Sequence, residues 1–301
     1  SDFYGEYCVG FTFKLFSVRI SHNNMTDCET LNPYNLETLK PQIKRFGYQF
    51  YYLPEIPSTM ILAEDYIRAG NEQAAVFLTD HQTQGRGRED RVWLDKPGGS
   101  ILVTAVLGIK DSTISTFADL VALHTALILR SVPLIDNVCI KYPNDLVIGD
   151  KKVGGILAVN NYDDGLQYLG TSVGIGVNVH YSADELAGYP TDYEATALDL
   201  HTPKKINSRQ LILAALLEPL RFLVVDAETF SNAEQQQRLN NMWRDISSVL
   251  GRKVRVRADG ESLVEGRVVD TQIGEGILVE GSLRTEWFNQ FNTKMKVRLL
   301  D

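Results

Sequence analysis

Apolar and polar positions along the chain change period several times, and each change predicts an element. From Phe11 to Ile20 they alternate as in a strand, which Ser21-His-Asn-Asn24 breaks. Two readings of this stretch stay open: an extra N-terminal strand, or sequence upstream of a start at Met25. Asn35 is placed to cap a short helix running to Arg45, with Leu36, Leu39 and Ile43 on one face. Tyr48–Leu53 reads as a strand. Ser58-Thr59 then opens a helix whose Leu62, Ala63, Tyr66 and Ile67 recur at helical spacing and which ends near Gly70. Ala74–Thr79 and Ile101–Leu107 read as strands on either side of a polar, glycine-rich loop from Gln82 to Gly99. A stripe of Phe117, Leu120, Val121, His124 and Leu127 predicts a helix over Phe117–Leu129.

Short strands are predicted at Val138–Lys141 and Leu146–Ile148, around Pro143. Two apolar strands, Lys152–Asn160 and Leu169–Val179, meet at an Asp163-Asp164-Gly165 turn. Helices dominate from Ser208 to Val249, with Pro219 a kink or a helix end. At Gly251 the period changes again. Lys253–Arg257, Ser262–Val269, Gly276–Val279 and Leu283–Phe288 are short strands joined by tight turns, which suggests a separate small β-barrel of about 50 residues. The pattern divides the chain into an extension (1–33), a main domain (34–249) and a C-terminal barrel (250–301).

Composition narrows the function classes. The 301 residues are 44% hydrophobic and 23% charged, with a formal net charge of −8. Non-specific nucleic-acid binding draws on Lys and Arg neutralising phosphates, so an acidic chain argues against it and makes any local cationic cluster informative. Three cysteines without a CxxC pair argue against a disulfide scaffold or a zinc site and favour a reducing cytoplasm. The five histidines have no ligand spacing. No apolar run approaches the roughly 18 residues that span a membrane, and the N-terminus lacks the basic leader of a secretory signal.

Three stretches carry candidate chemistry. Gln82-Thr-Gln-Gly85-Arg86-Gly87-Arg88-Glu-Asp-Arg91-Val-Trp93 crowds three arginines around two glycines. Guanidinium groups bind phosphate through paired, charge-assisted hydrogen bonds, and glycine lets backbone approach a ligand. A solvated basic loop has the same composition, and a dinucleotide fingerprint fails because its third glycine falls at Asp90. Lys141-Tyr-Pro-Asn144-Asp145-Leu, followed by Lys152-Val-Gly154-Gly155-Ile-Leu, offers a polar turn, a carboxylate for Mg²⁺ or an amine, and a lysine for phosphate; an ordinary β-turn has the same look. Gly174-Ile-Gly176-Val-Asn178 places glycines inside a strand, where a ligand, another backbone or a bulge requires them.

Taken together, these stretches resemble the biotin–protein ligases, also called biotin–acetyl-CoA-carboxylase ligases or holocarboxylase synthetases. The family pattern G-R-G-R-x-G-R-x-W is matched at Gly85–Trp93. K-W-P-N-D-L with a downstream K-x-x-G-I-L is matched at Lys141–Leu146 and Lys152–Leu157. S-T-N is matched at Ser58-Thr59-Met60, and G-x-G-x-N at Gly174–Asn178. The order holds throughout, over about residues 35–301. The chain departs from the family at Met60 for Asn, Tyr142 for Trp and Asp90 for the middle Gly of the arginine loop. That carboxylate adds a negative charge among the arginines and stiffens a loop expected to close.

The resemblance implies an α/β fold like the class II aminoacyl-tRNA synthetases, a mixed, largely antiparallel sheet flanked by helices, with an SH3-like C-terminal barrel. It implies ATP-dependent conversion of biotin to biotinyl-5'-AMP, with Mg²⁺, and transfer of biotin to a lysine of a biotin carboxyl carrier protein in the cytoplasm by a monomer or homodimer. It assigns Arg88, Lys152 and Asp145 to catalysis. Ser58, Thr59 and Gln82 are assigned to the biotin ring and carboxylate. Gly85, Arg86, Gly87, Arg91 and Lys141 are assigned to the ligand-binding loops, Trp93 to packing on the ligand or adenine, Asn178 to adenine, Asn144 to ATP phosphate or Mg²⁺, Asp145 to Mg²⁺ or the incoming lysine, and Gly154 and Gly155 to close approach of biotin. The alternatives are a lipoate or octanoate transferase, whose Arg-Arg-x-x-Gly-Gly-Gly signature is not seen, and a biotin-sensing repressor. Residues 1–34 are too short for a winged DNA-binding module and are not notably basic, so neither DNA nor a membrane is expected as a partner.

Overall fold

The computed structural model describes residues 34–89, 91–109, 111–132, 135, 137–189, 194–206, 208–228, 232–258, 262–282, 284–291 and 295–300. The expectations for the N-terminal strand, for Met25 and for Asp90 lie outside the described residues. The first helix, α1 (Leu36–Arg45), forms as its pattern dictates: Asn35 Oδ1 accepts from Thr38 N, and Leu39 and Ile43 are buried. β1 (Gln49–Ile56) follows, then α2 (Thr59–Arg68), capped by Ser58, then β2 (Ala75–Gln82). The polar loop is more ordered than its composition predicts, since β3 (Gly85–Arg86) and β4 (Val92–Trp93) pair within it. β5 (Ser100–Leu107) is buried at every position, which puts it inside the sheet.

α3 (Ile114–Arg130) is apolar on nearly every side. The stretch Asp111–Arg130 has a mean hydropathy of 1.5 over an 18-residue window, so the expectation that no apolar run reaches membrane-spanning length is corrected. Packing explains it: α3 is wedged between the sheet and later helices, with Phe117, Leu120 and Leu129 almost fully buried. Four strands follow: β6 (Val138–Lys141), β7 (Asp145–Ile148), β8 (Lys151–Tyr162) and β9 (Tyr168–Asn178). The β8–β9 connection is longer than the expected Asp-Gly turn. Asp163 N donates to Gln167 O, and Leu166, not Gly165, takes the left-handed backbone at φ 64°.

The seven strands order as β1-β2-β5-β9-β8-β7-β6. Only the β1–β2 pair is parallel, which confirms a mixed, largely antiparallel sheet flanked by helices. A short helix, α4 (Ala183–Ala187), was not visible in the pattern. Pro219 separates α5 (Arg209–Leu217) from α6 (Leu220–Glu228), and α7 (Ala233–Asp245) completes the helical run.

The C-terminal strands β10 (Lys253–Ala258), β11 (Ser262–Gln272), β12 (Gly276–Gly281), β13 (Thr285–Phe288) and β14 (Met295–Leu299) form one antiparallel sheet ordered β13-β12-β11-β10-β14. β14 was not predicted. No pairing joins β13 to β14 among the described residues, so closure into the expected barrel is not seen there. The sheet is tied to the rest: Trp243 Nε1 donates to Thr271 Oγ1 at 2.8 Å, and Gly274 N donates to Asp119 Oδ2 at 2.9 Å. A single apolar core includes Phe117 and Ile140 as well as Val254 and Val256.

Candidate functional site

α2 begins over the sheet, so its cap is buried: Ser58 and Thr59 are 0% and 3% exposed. From that cap a chain of polar groups runs through the interior. Thr104 Oγ1 donates to Thr59 Oγ1 at 2.8 Å, and Thr59 N and Oγ1 both donate to Gln82 Oε1, at 2.8 and 3.2 Å. Gln82 N donates in turn to Asp95, whose Oδ1 lies 2.7 Å from His81 Nδ1. Burial pushes the Asp95 carboxyl above the usual carboxylate range, against the opposing pull of His81 and Gln82 N. The carboxamide oxygen of Gln82 is taken by Thr59, and its Nε2 has no hydrogen-bond partner among the described residues. Asp95, His81 and Thr104 were missed from sequence, since a lone carboxylate, histidine or threonine carries no motif.

The arginine loop is a hairpin. Gly85 pairs with Trp93 and Arg86 with Val92, and Gly87 N donates to Arg91 O at 2.7 Å. A Cβ at Gly85 would meet the Trp93 carbonyl at 2.3 Å, so glycine is required for the close approach. The three arginines separate. Arg86 turns onto α2 and pairs with Glu64 at 3.2 Å. Arg91 is half exposed, 3.5 Å from Glu89. Arg88 turns inward: its side chain is 14% exposed and its Nη1 is buried without a hydrogen-bond partner among the described residues. Burial lowers its pKa, opposed chiefly by Glu89.

The second stretch folds around the β6–β7 turn. Tyr142 is buried, and its hydroxyl oxygen accepts from Gln290 N at 2.8 Å, which ties the turn to the C-terminal sheet. Asn144 Nδ2 donates to Ile156 O, and Ile156 N donates back to Asn144 O, both at 2.9 Å. Asp145 Oδ1 lies 2.5 Å from Lys152 Nζ, which also sits 5.6 Å from the centre of the Trp93 ring, within cation–π range. Gly154 has no room for a side chain, because a Cβ would meet Gly176 O at 2.6 Å. Gly155 borders Lys152 and Asp145.

In the third stretch Asn178 is buried, with Oδ1 accepting from Ser100 Oγ and Nδ2 donating to Thr196 O. The structure thus places its amide in internal hydrogen bonds rather than in the cleft.

Arg88, Arg91, Lys141, Asn144 and Asp145 converge on a cleft of about 320 Å³, a size suited to small molecules. Sequence reasoning missed its opposite wall, where the C-terminal region supplies Arg252, Lys296 and Arg298. Six cationic side chains face two carboxylates there, Asp145 and Asp150, in a chain of net charge −8. Such an excess suits a polyphosphate. The donors fit a phosphate-bound Mg²⁺, which typically takes one or two carboxylates beside phosphates and water: Asp145 supplies one, and the engaged atom of Asn144 is its nitrogen. Among the described residues no group of three or more His, Cys, Asp or Glu could hold a metal alone.

Residues 52–178 match the Biotin/lipoate A/B protein ligase family. The chain is 28% identical over 173 residues to the bifunctional ligase/repressor BirA of Bacillus spizizenii, covering 57% of this chain and 52% of that one. It is 27% identical over 261 residues to the biotin–[acetyl-CoA-carboxylase] ligase of Mycobacterium tuberculosis, covering 82% and 91%. The chain spans about half the length of the first curated relatives it matches. The fold is similar to that of the biotin protein ligase from Aquifex aeolicus solved in complex with biotin and ATP, with TM-score 0.65 and 21% identity over 83% of this chain and 99% of that one.

Proposed function

We propose that this chain, a member of the Biotin/lipoate A/B protein ligase family, makes biotinyl-5'-AMP from biotin and ATP and transfers biotin to a lysine of a biotin carboxyl carrier protein or domain. The observation that carries the reading is Arg88 Nη1, a buried cationic donor without a partner among the described residues, at the edge of a cleft walled by cations. A buried donor left unmade is costly, and a phosphate oxygen is the partner that such a group suits. In the first step a biotin carboxylate oxygen attacks the α-phosphorus of ATP and the bond to the β-phosphate oxygen breaks, releasing pyrophosphate. In the second, the lysine amine attacks the anhydride carbonyl, AMP departs, and the amine loses a proton.

Repulsion between two anions opposes the first step. Arg88 and Lys152 oppose it by position and charge. Bound Mg²⁺, held with the phosphates by Asp145 and Asn144, would neutralise developing charge. Asp145 and Lys152, in contact at 2.5 Å, exchange partners when phosphate arrives: Lys152 turns to the anion and Asp145 to the cation or the incoming amine. The buried Thr104–Thr59–Gln82 chain is suited to the ureido ring, because it is desolvated and its orientation is fixed. Arg252, Lys296 and Arg298 suit the outer phosphates.

We read residues 34–249 as the catalytic domain and the C-terminal sheet, residues 250–301, as an SH3-like barrel. We place the protein in the cytoplasm, as a monomer or homodimer without DNA binding. The test is exchange of labelled pyrophosphate into ATP without acceptor. Biotin should support it and lipoate should not; exchange with lipoate alone would overturn the assignment.

A further inference from the structure

Segment 82–99 leaves the main sheet at the end of β2 and returns at the start of β5. Ties within the segment hold it at three levels: Asp95 to Gln82 and His81, the β3–β4 pairing, and Gly87 to Arg91. At its base Gly98 N donates to Asp80 O at 3.0 Å, and a second tie comes from outside. Arg209, the first residue of α5, has a side chain only 1% exposed. Its Nη2 donates to Asp80 Oδ1 at 2.6 Å and its Nη1 to the Ser100 carbonyl at 2.7 Å. Asp80 and Ser100 are the two stems of the segment, so one guanidinium bridges its exit and its return.

The bridge is itself fixed. Asp80 Oδ2 accepts from the Tyr52 hydroxyl at 2.5 Å, and the Tyr52 ring meets Tyr34 edge-on at 6.3 Å. The Arg209 guanidinium lies 4.5 Å from the centre of the Tyr34 ring, closing a ring of four side chains. From the other stem, Ser100 Oγ donates to Asn178 Oδ1, so the clamp also reaches the glycine-rich strand. Arg209 Nε remains buried without a partner among the described residues. A buried cation in this position is a costly way to join a helix to a sheet, whereas a planar fork serving two acceptors on different strands is something only arginine supplies.

We propose that Arg209 is a positioning residue for segment 82–99. By setting the spacing of Asp80 and Ser100 it holds Gln82, Arg88 and Trp93 in register with the cleft, without touching substrate. The inference rests on the reading of this segment as the ligand-binding loop. Arg209→Lys keeps the charge but offers one point of contact where two are needed. In ligand-free protein its melting temperature should fall by only a few degrees. Amide exchange across 82–99 should be at least about tenfold faster, with β10–β14 unchanged, and release of bound biotinyl-AMP should accelerate by a similar factor. Tyr52→Phe, which removes one hydroxyl from Asp80 and leaves Arg209 in place, should give the same pattern at smaller amplitude, and carries the test should Arg209→Lys not fold. Unchanged exchange in 82–99, or exchange raised uniformly over the whole chain, would overturn the proposal. Failure of the ligase reading looks different: wild-type protein would then hold no biotinyl-AMP, while the exchange comparison needs no ligand.

Discussion

The indole of Trp93 rests against Gly176, where a Cβ would come within 2.8 Å of Cζ2 and 3.0 Å of Cη2. Gly176 is flanked by Leu102 and Gly155 in the sheet, so the ring, not the strand, must yield to any added atom. Gly176→Ala should therefore displace Trp93 from Lys152 and weaken biotinyl-AMP binding, at a stability cost at the low end of the about 1–3 kcal/mol typical of overpacking. Gly154→Ala is the contrast, since its Cβ would meet backbone, Gly176 O at 2.6 Å, and should cost more stability. Calorimetric titration and melting of both variants check this; wild-type affinity in Gly176→Ala would show that the ring position does not matter.

Arg88 trades stability for binding. Its Nη1 is buried without a partner among the described residues, a situation that costs about 1–3 kcal/mol. Arg88→Met keeps an apolar stem and removes that cost, so the ligand-free variant should melt higher than wild type. The increase in melting temperature on adding biotinyl-AMP should be largely lost. A lower ligand-free melting temperature would mean that Arg88 holds the loop together before any ligand arrives.

Much of this was legible in the sequence because period reports burial. Val138–Lys141 fell on β6, Asn35 caps α1 as its position predicted, and α2 opens at Ser58-Thr59 with Ser58 as its cap. The motifs marked Arg88, Asn144, Asp145 and Lys152, which do converge on the cleft or its edge. What stayed hidden needed the third dimension. Arg86 and Arg88 are two residues apart in a hairpin, so their side chains leave on a shared side in sequence terms, yet one reaches Glu64 while the other is drawn inward. The wall formed by Arg252, Lys296 and Arg298 lies over 100 residues from Lys141, and β14 is five residues with no turn signal of its own. Asp119 and Arg209 belong to no motif and were not singled out, because no pattern says which helix faces are covered twice.

Lys152→Ala should lose about a hundredfold in forming the adenylate, the size typical of removing one donor to developing charge. Transfer from supplied biotinyl-AMP should fall much less, because the phosphate being neutralised is already esterified. The loss frees Asp145 from its 2.5 Å contact with Lys152, so Lys152→Arg, which restores a cation there, should recover part of the first step. Equal losses in both half-reactions would argue against this division of labour.

Asp119 and His124, both on α3, should give the protein opposing pH dependences. Burial raises the Asp119 carboxyl from 3.8 to about 7, with Gly274 N only partly offsetting it. The folded state thus holds this proton more tightly than the unfolded chain, so the contribution to stability is complete below about pH 4 and is lost as pH rises towards 7. Burial lowers His124 from 6.5 to about 4, against a weak opposing bond to Ala215 O. Its contribution is complete above pH 6.5 and is lost as pH falls towards 4. Between pH 4 and 6.5 the two slopes have opposite signs, each at most about 1.4 kcal/mol per pH unit, so in wild type they largely cancel. Asp119→Asn, which can still accept from Gly274 N, leaves the histidine alone, and its stability relative to wild type should rise with pH. His124→Gln, which can still donate to Ala215 O, leaves the carboxyl alone, and its relative stability should fall over the same range. Taking each variant as a difference from wild type removes the groups common to all three proteins. Urea midpoints measured from pH 4.5 to 7 decide the matter: two curves parallel to wild type would mean that neither group changes its protonation on folding, and that α3 is less tightly sealed between the sheet and α6 than its packing indicates.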